Sequence, residues 1–234
     1  MRIGIIGAME EEVELLKGSL EGSTTTTVAG MDFCAGTLGG TEVVVVRSGI
    51  GKVNAGICVQ VLVDRFAVTH VVNTGVAGSL DDRLDIGDLV VSLDCVWHDF
   101  DATPLGYAPG QIPGLDTIAF AADEGMRASA HAAATEVAPE VRALDGHVVS
   151  GDQFVTGEDF KQRLVEGFSG TCCEMEGAAV AQAAHLNGIP FVVVRAISDK
   201  PGSDEQVMDY ATFEHQSALR CAAIVARMVE RALA

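Results

Sequence analysis

Basic residues are scarce: 15 Lys+Arg stand against 33 Asp+Glu in 234 residues, a formal net charge of −18. A nucleic-acid partner needs a basic patch that displaces counterions from phosphates, so that class is excluded. Long apolar runs are missing too. Stretches such as Val43–Val46 and Pro190–Val194 fall far short of the roughly 18 residues a membrane helix requires. The opening run Ile3–Ile6 meets Glu10, Glu11 and Glu12 at once, unlike a secretory leader, whose longer apolar core follows positive charge. The six cysteines include no CxxC pair, and no Asn-x-Ser/Thr sequon occurs. A chain of this length folds without disulfides, so the cysteines, vicinal Cys172–Cys173 included, are expected to be reduced and mostly buried in a cytoplasmic protein. No linker, repeat or low-complexity segment stands out, which predicts one domain over residues 1–234 with no membrane partner.

What is present is a regular alternation. Val- and Ile-rich runs near residues 3–6, 24–29, 33–38, 42–47, 70–73, 88–92, 95–98, 146–150, 171–175 and 190–197 read as strands. Helical patterns cover 9–20, 52–66, 121–136, 158–165, 177–187 and 210–233. Strands with little polar alternation are buried on both faces, and their interleaving with helices predicts an α/β layered fold. Residues 99–114 carry Pro104, Pro109 and Pro113 and read as irregular.

Ligands of open α/β sheets bind beyond the carboxyl ends of the strands, so the segments after each strand are where chemistry is expected. Gly7–Glu12 places three carboxylates at a helix start, where the helix dipole favours them and they repel a phosphate. Glu12 adjoins the Val13 and Leu16 stripe and can point into a cleft, whereas Glu11 and Glu14 are expected to face solvent. Asn73–Ser79 reads as a small-residue turn open to close ligand approach. It lacks the GxGxxG or Lys-Ser/Thr pattern of a phosphate loop, as does Gly49–Lys52. At Cys173–Gly177 alternation puts Glu174 and Glu176 on one face and Met175 on the other. A solvated turn is the plainer reading there. At Arg195–Asp199, Asp199 leaves an apolar strand beside Ser198 and is either an acid of raised pKa, a helix cap or the partner of Arg195. His98-Asp99-Phe100-Asp101 lacks a further histidine to complete a metal site, so neither a metal nor a cofactor is expected.

These segments together resemble the 5′-methylthioadenosine/S-adenosylhomocysteine nucleosidases of the nucleoside phosphorylase superfamily. The resemblance runs through MRIGIIGAMEEEV (residues 1–13), SGIGK (48–52), Asn73–Leu80, GQIPG (110–114), SGDQF (150–154), Glu174–Gly177 and VVVRAISD (192–199). It implies a three-layer α-β-α sandwich around a mixed central sheet, a homodimer, and hydrolysis of the N-glycosidic bond of a 5′-thioadenosine. By resemblance Asp199 protonates adenine N7, Ser198 orients it, and Glu12 activates the attacking water with Arg195 nearby. Glu176 would hold the ribose hydroxyls and Met175 would pack on the sugar. Phe154 would stack on adenine, whose amino edge the Val155 backbone reads. Met9 and Ile50 would border the ribose and alkylthio tail, with Tyr210 or Phe213 closing the pocket. Val76 stands where the family often has Ser. Leu105 replaces an aromatic that reaches into the neighbouring subunit, and Leu105 or Pro113 would border the partner's 5′-tail site.

The resemblance leaves rivals. A purine nucleoside phosphorylase shares the fold but needs cations for its phosphate, with Arg47 and Lys52 as the only nearby candidates. An aminodeoxyfutalosine nucleosidase differs only in what it accepts beyond C5′, and 5′-deoxyadenosine is a further possible substrate. A nucleoside sensor without catalysis would not require both Glu12 and Asp199.

Overall fold

The computed structural model describes residues 1–231. In chain order the strands are β1 (Arg2–Gly7), β2 (Glu21–Val28), β3 (Met31–Leu38), β4 (Thr41–Arg47), β5 (His70–Ser79), β6 (Leu89–Trp97), β7 (Phe120–Ala121), β8 (Ala143–Ser150), β9 (Cys172–Glu174) and β10 (Phe191–Asp199). The helices are α1 (Glu14–Gly18), α2 (Lys52–Phe66), α3 (Glu124–Val137), α4 (Glu158–Phe168), α5 (Gly177–Asn187) and α6 (Gln206–Glu230). None is long and apolar enough to cross a membrane among the described residues.

Strand alternation builds the layers. Val44 and Val46 of β4 pack with α2 and α5, while Val43 and Val45 pack with α1, α3 and α6 on the other face. Each fully buried Val or Ile contributes about 1.5–3 kcal/mol relative to exposure, and the central strands carry such side chains on both faces. The result is the expected α-β-α sandwich with a mixed sheet. Strands β4, β1, β5 and β10 run parallel in that order, with β3 and β2 antiparallel at one end. The other end closes on itself. β10 pairs with β6, β6 with β8, β8 with β9, and β9 returns to β5, making a five-stranded ring. Alternation of hydrophobic segments does not reveal that closure, because it depends on which edges meet.

Three expected elements differ. The helix predicted from residue 9 shrinks to α1, because the Glu12 carboxylate folds back onto the amides of Ala8 and Met9 and holds residues 8–13 in turns. The Asn73–Ser79 segment is strand rather than turn: β5 continues to Ser79, pairing Gly75 with Arg195 and Gly78 with Cys173. Tertiary pairing overrides the low strand preference of glycine there. The two strands expected at 88–98 are one, β6, with a register shift between Ser92 and Asp94. The other helices begin or end within a few residues of expectation. The end predicted for the last one, at residue 233, lies outside the described residues.

Candidate active site

A cleft opens where the carboxyl ends of β1, β5 and β10 meet the end of β9 and the start of α6. Met9, Glu12, Ile50, Val76, Phe154, Val155, Met175, Glu176, Ser198, Asp199 and Tyr210 all line it. Its largely apolar wall with a few convergent carboxyls suits a small organic ligand. Tyr210 rather than Phe213 stands on the wall, with Phe154 edge-on to it at 5.4 Å between ring centroids. Phe213 borders a separate surface hollow near Asp85 and Lys200. Leu105 and Pro113 lie away from the cleft, in the loop between β6 and β7.

Glu12 enters from the turn after β1. Its Oε2 accepts the amides of Ala8 (2.6 Å) and Met9 (3.0 Å), and its Oε1 accepts the Val76 amide (3.1 Å). Those bonds explain two glycines. A Cβ on Gly7 would press on Glu12 and Val13, and one on Gly75 would overlap both the Glu12 carboxylate and the Arg195 guanidinium. Burial pushes the Glu12 pKa up, while Arg195 and the three amides pull it back. The structure leaves Glu11 half-buried rather than facing solvent as expected, while Glu14 is exposed.

Arg195 lies beneath the cleft, fully buried. It does not pair with Asp199, one of the sequence readings. Its Nη2 meets the Glu174 Oε2 and the Asn73 Oδ1, the latter at 2.6 Å. Glu174 also accepts the amides of Glu176 (3.0 Å) and Gly177 (2.7 Å) at the start of α5, and the Ser150 hydroxyl. The solvated-turn reading of this segment therefore fails. Glu174 is a buried anchor that uses the unpaired amides of a helix N-terminus and an arginine at once. Strand alternation did not distinguish it from Glu176; only the family resemblance singled out Glu176. Burial opposes the Arg195 charge, but Glu174, Glu12 and Glu176 hold it firmly ionised.

Glu176 accepts the Gly51 amide at 2.7 Å, at the N-terminus of α2. Gly51 has φ of +98°, a conformation suited to glycine. Burial, and then the Glu174 charge, push the Glu176 carboxyl up to about 8.

Asp199 follows a bulge in β10, where the pairing to β5 shifts register between Ile197 and Asp199. Such an irregularity re-aims side chains, here placing both Ser198 and Asp199 on the cleft wall. The Ser198 hydroxyl donates to Asp199 Oδ1 (2.8 Å) and the Gln206 amide to Oδ2 (2.8 Å). Burial raises the Asp199 pKa, with the Gln206 and Ser198 hydrogen bonds opposing. Burial thus favours a proton on both Asp199 and Glu12. What separates them is that Glu12 faces a guanidinium, and Asp199 only neutral donors.

No Lys, Arg or His lines the cleft among the described residues. The two cations that could have softened its charge are engaged elsewhere. Lys52 pairs with Asp99 at 2.7 Å, and Arg47 sits 3.7 Å from Glu10. No cluster of three or more potential metal ligands occurs among the described residues.

An α/β fold with acids gathered beyond its parallel strands defines a class, and residues 2–230 match the sequence model of the Phosphorylase superfamily. The chain is 41% identical, over 99% of its length and 100% of the relative, to a 5′-methylthioadenosine/S-adenosylhomocysteine nucleosidase of Shewanella piezotolerans. The nucleosidase of Colwellia psychrerythraea, solved in complex with adenine, superposes with a TM-score of 0.93 at 40% identity, covering 98% of this chain and 94% of that one. A futalosine hydrolase of Helicobacter pylori gives 0.92 at 33% identity, covering 99% and 98%. The chain belongs to this superfamily and, within it, to the family of the 5′-methylthioadenosine/S-adenosylhomocysteine nucleosidases.

Proposed function

We propose that this protein hydrolyses the N-glycosidic bond of 5′-methylthioadenosine and S-adenosylhomocysteine, releasing adenine and the 5′-thioribose. The observation that carries the reading is a cleft bordered by buried carboxyls, Glu12 and Asp199, with no free cation on its wall. Glycosidic cleavage of a nucleoside builds positive charge on the sugar and negative charge on the departing base. Asp199, whose pKa burial raises, donates a proton to the base at N7, and Ser198 orients it. Glu12, held by three amides and facing Arg195, accepts a proton from water as that water attacks C1′. Glu176 accepts hydrogen bonds from the ribose hydroxyls, and the positive charge developing on the sugar draws it towards the carboxylate form, which stabilises that charge. Phe154 and Tyr210 enclose the base, Met175 packs on the sugar, and Met9 and Ile50 face the thioether end.

The same electrostatics disfavour a phosphorylase. A carboxylate about 4 Å from a phosphate at an effective dielectric near 20 costs roughly 4 kcal/mol per unit charge. The 6-aminodeoxyfutalosine reading stays as a second substrate, supported by the likeness to the futalosine hydrolase. Adenine release from each nucleoside, with and without phosphate, tests the proposal. Turnover independent of phosphate is expected, and formation of a sugar 1-phosphate overturns it.

The proposed assembly is a homodimer and the proposed compartment the cytoplasm. The first is supported by exposed apolar side chains on α2, the 99–114 loop and α5, among them Val53 (72% exposed), Leu105 (76%) and Leu186 (63%). The second is supported by six cysteines that form no disulfide.

A further inference from the structure

One amide nitrogen joins two parts of the cleft wall from behind. Gln206 Nε2 donates to Asp199 Oδ2 over 2.8 Å and to the Val155 carbonyl over 2.7 Å. Gln206 is buried and opens α6, but it is not on the cleft wall itself. It borders a neighbouring surface hollow with Val207 and Met208. Both hydrogens of that nitrogen are therefore committed to the site, and neither caps the helix, which has no side-chain cap bond. A buried carboxamide is costly unless its donors are used, and here they are used on one carboxyl and one backbone carbonyl that share the cleft.

We infer that Gln206 is a positioning residue for Asp199: it fixes the carboxyl plane through Oδ2, leaves Oδ1 to Ser198, and ties the acid to the Val155 segment. This inference rests on the proposed role of Asp199 as proton donor. Donation from a neutral amide favours the ionised carboxylate over the neutral acid. Gln206 therefore holds down a pKa that burial raises, keeping the proton transferable. The titratable groups facing Asp199 are Asp209 and Tyr210 on α6 and Cys173 on β9. Lys200, next in the chain, turns away to Asp85 at 2.7 Å.

The test is the pH profile of kcat/KM for adenine release from 5′-methylthioadenosine. A group that works protonated loses activity as pH rises through its pKa. Removing the amide in Gln206→Met raises that pKa, so the high-pH fall should move up by roughly one pH unit. The loosened carboxyl should also lower kcat about tenfold, more than it changes KM. Gln206→Glu, which puts an acidic group against Asp199, should move the limb further in the same direction. Gln206→Ala replaces Gln206→Met should the latter fail to fold. A limb at the wild-type pH in folded variants overturns the inference. Asp199→Asn is assayed in parallel: full activity there overturns the acid itself. An inactive Asp199→Asn with an unmoved limb in the Gln206 variants overturns only the role of Gln206.

Discussion

Arg195 and Glu174 form an ion pair beneath the cleft with side chains only 1% and 3% exposed. Two charges removed from water this completely stabilise only as a pair that is also hydrogen-bonded, as this one is to Asn73, Ser150 and the start of α5. Removing one partner leaves an uncompensated buried charge. Glu174→Ala is expected to cost about 3–5 kcal/mol of unfolding free energy in urea denaturation. Combining it with Arg195→Met should cost less than the two single changes added together, since the orphaned charge is gone. Simple additivity would show that the pair is not coupled.

Asp199→Asn and Glu12→Gln should each lower kcat about 10²–10⁴-fold while the circular dichroism spectrum is retained. Glu12→Gln should also lose some thermal stability, because one amide oxygen replaces two carboxylate oxygens that together accept three backbone amides. Turnover near that of the unmodified protein in either variant removes that residue from the mechanism.

Glu176 makes stability depend on pH in a direction opposite to most carboxylates. Its pKa in the folded protein, about 8, lies above the ordinary value of 4.5. Between those values the folded state holds a proton that the unfolded state has lost, so stability from this group is full below pH 4.5 and falls as pH rises towards 8. Glu176→Gln has no such dependence. Its melting temperature relative to the unmodified protein should therefore rise between pH 5 and pH 8, even as ribose binding is weakened. A constant difference across that range would show that Glu176 titrates normally.

Leu105→Asp tests the assembly. If Leu105 is covered by a second copy, the substitution buries a charge at the interface and should shift sedimentation from dimer to monomer. Binding of the alkylthio group should weaken with it. A fully active monomer of the unmodified protein at assay concentration would contradict the proposed homodimer.

Much of this molecule was legible in one dimension. The Val- and Ile-rich strands, α2 and α5 read directly from periodicity, because burial on both faces of a sheet demands uninterrupted apolar side chains. The acids expected near the ends of β1, β9 and β10 do meet at one cleft, because β1, β5 and β10 run parallel to a common edge and β9 returns there antiparallel to β5. Glycine-rich Asn73–Ser79 misled, because its small residues serve neighbours across the sheet rather than a turn.

The chain alone therefore determined the α/β class, the family, and the acids from which its chemistry is proposed. Tertiary structure decided what each acid touches. Glu174 and Glu176 stand two residues apart with the same side chain. Only the meeting of β9, β10 and the N-termini of α2 and α5 gives one an arginine and the other a glycine amide at the cleft. Gln206 carries no local signal at all. Its place behind Asp199 arises from α6 packing beside the end of β10, a contact between segments that periodicity treats as independent.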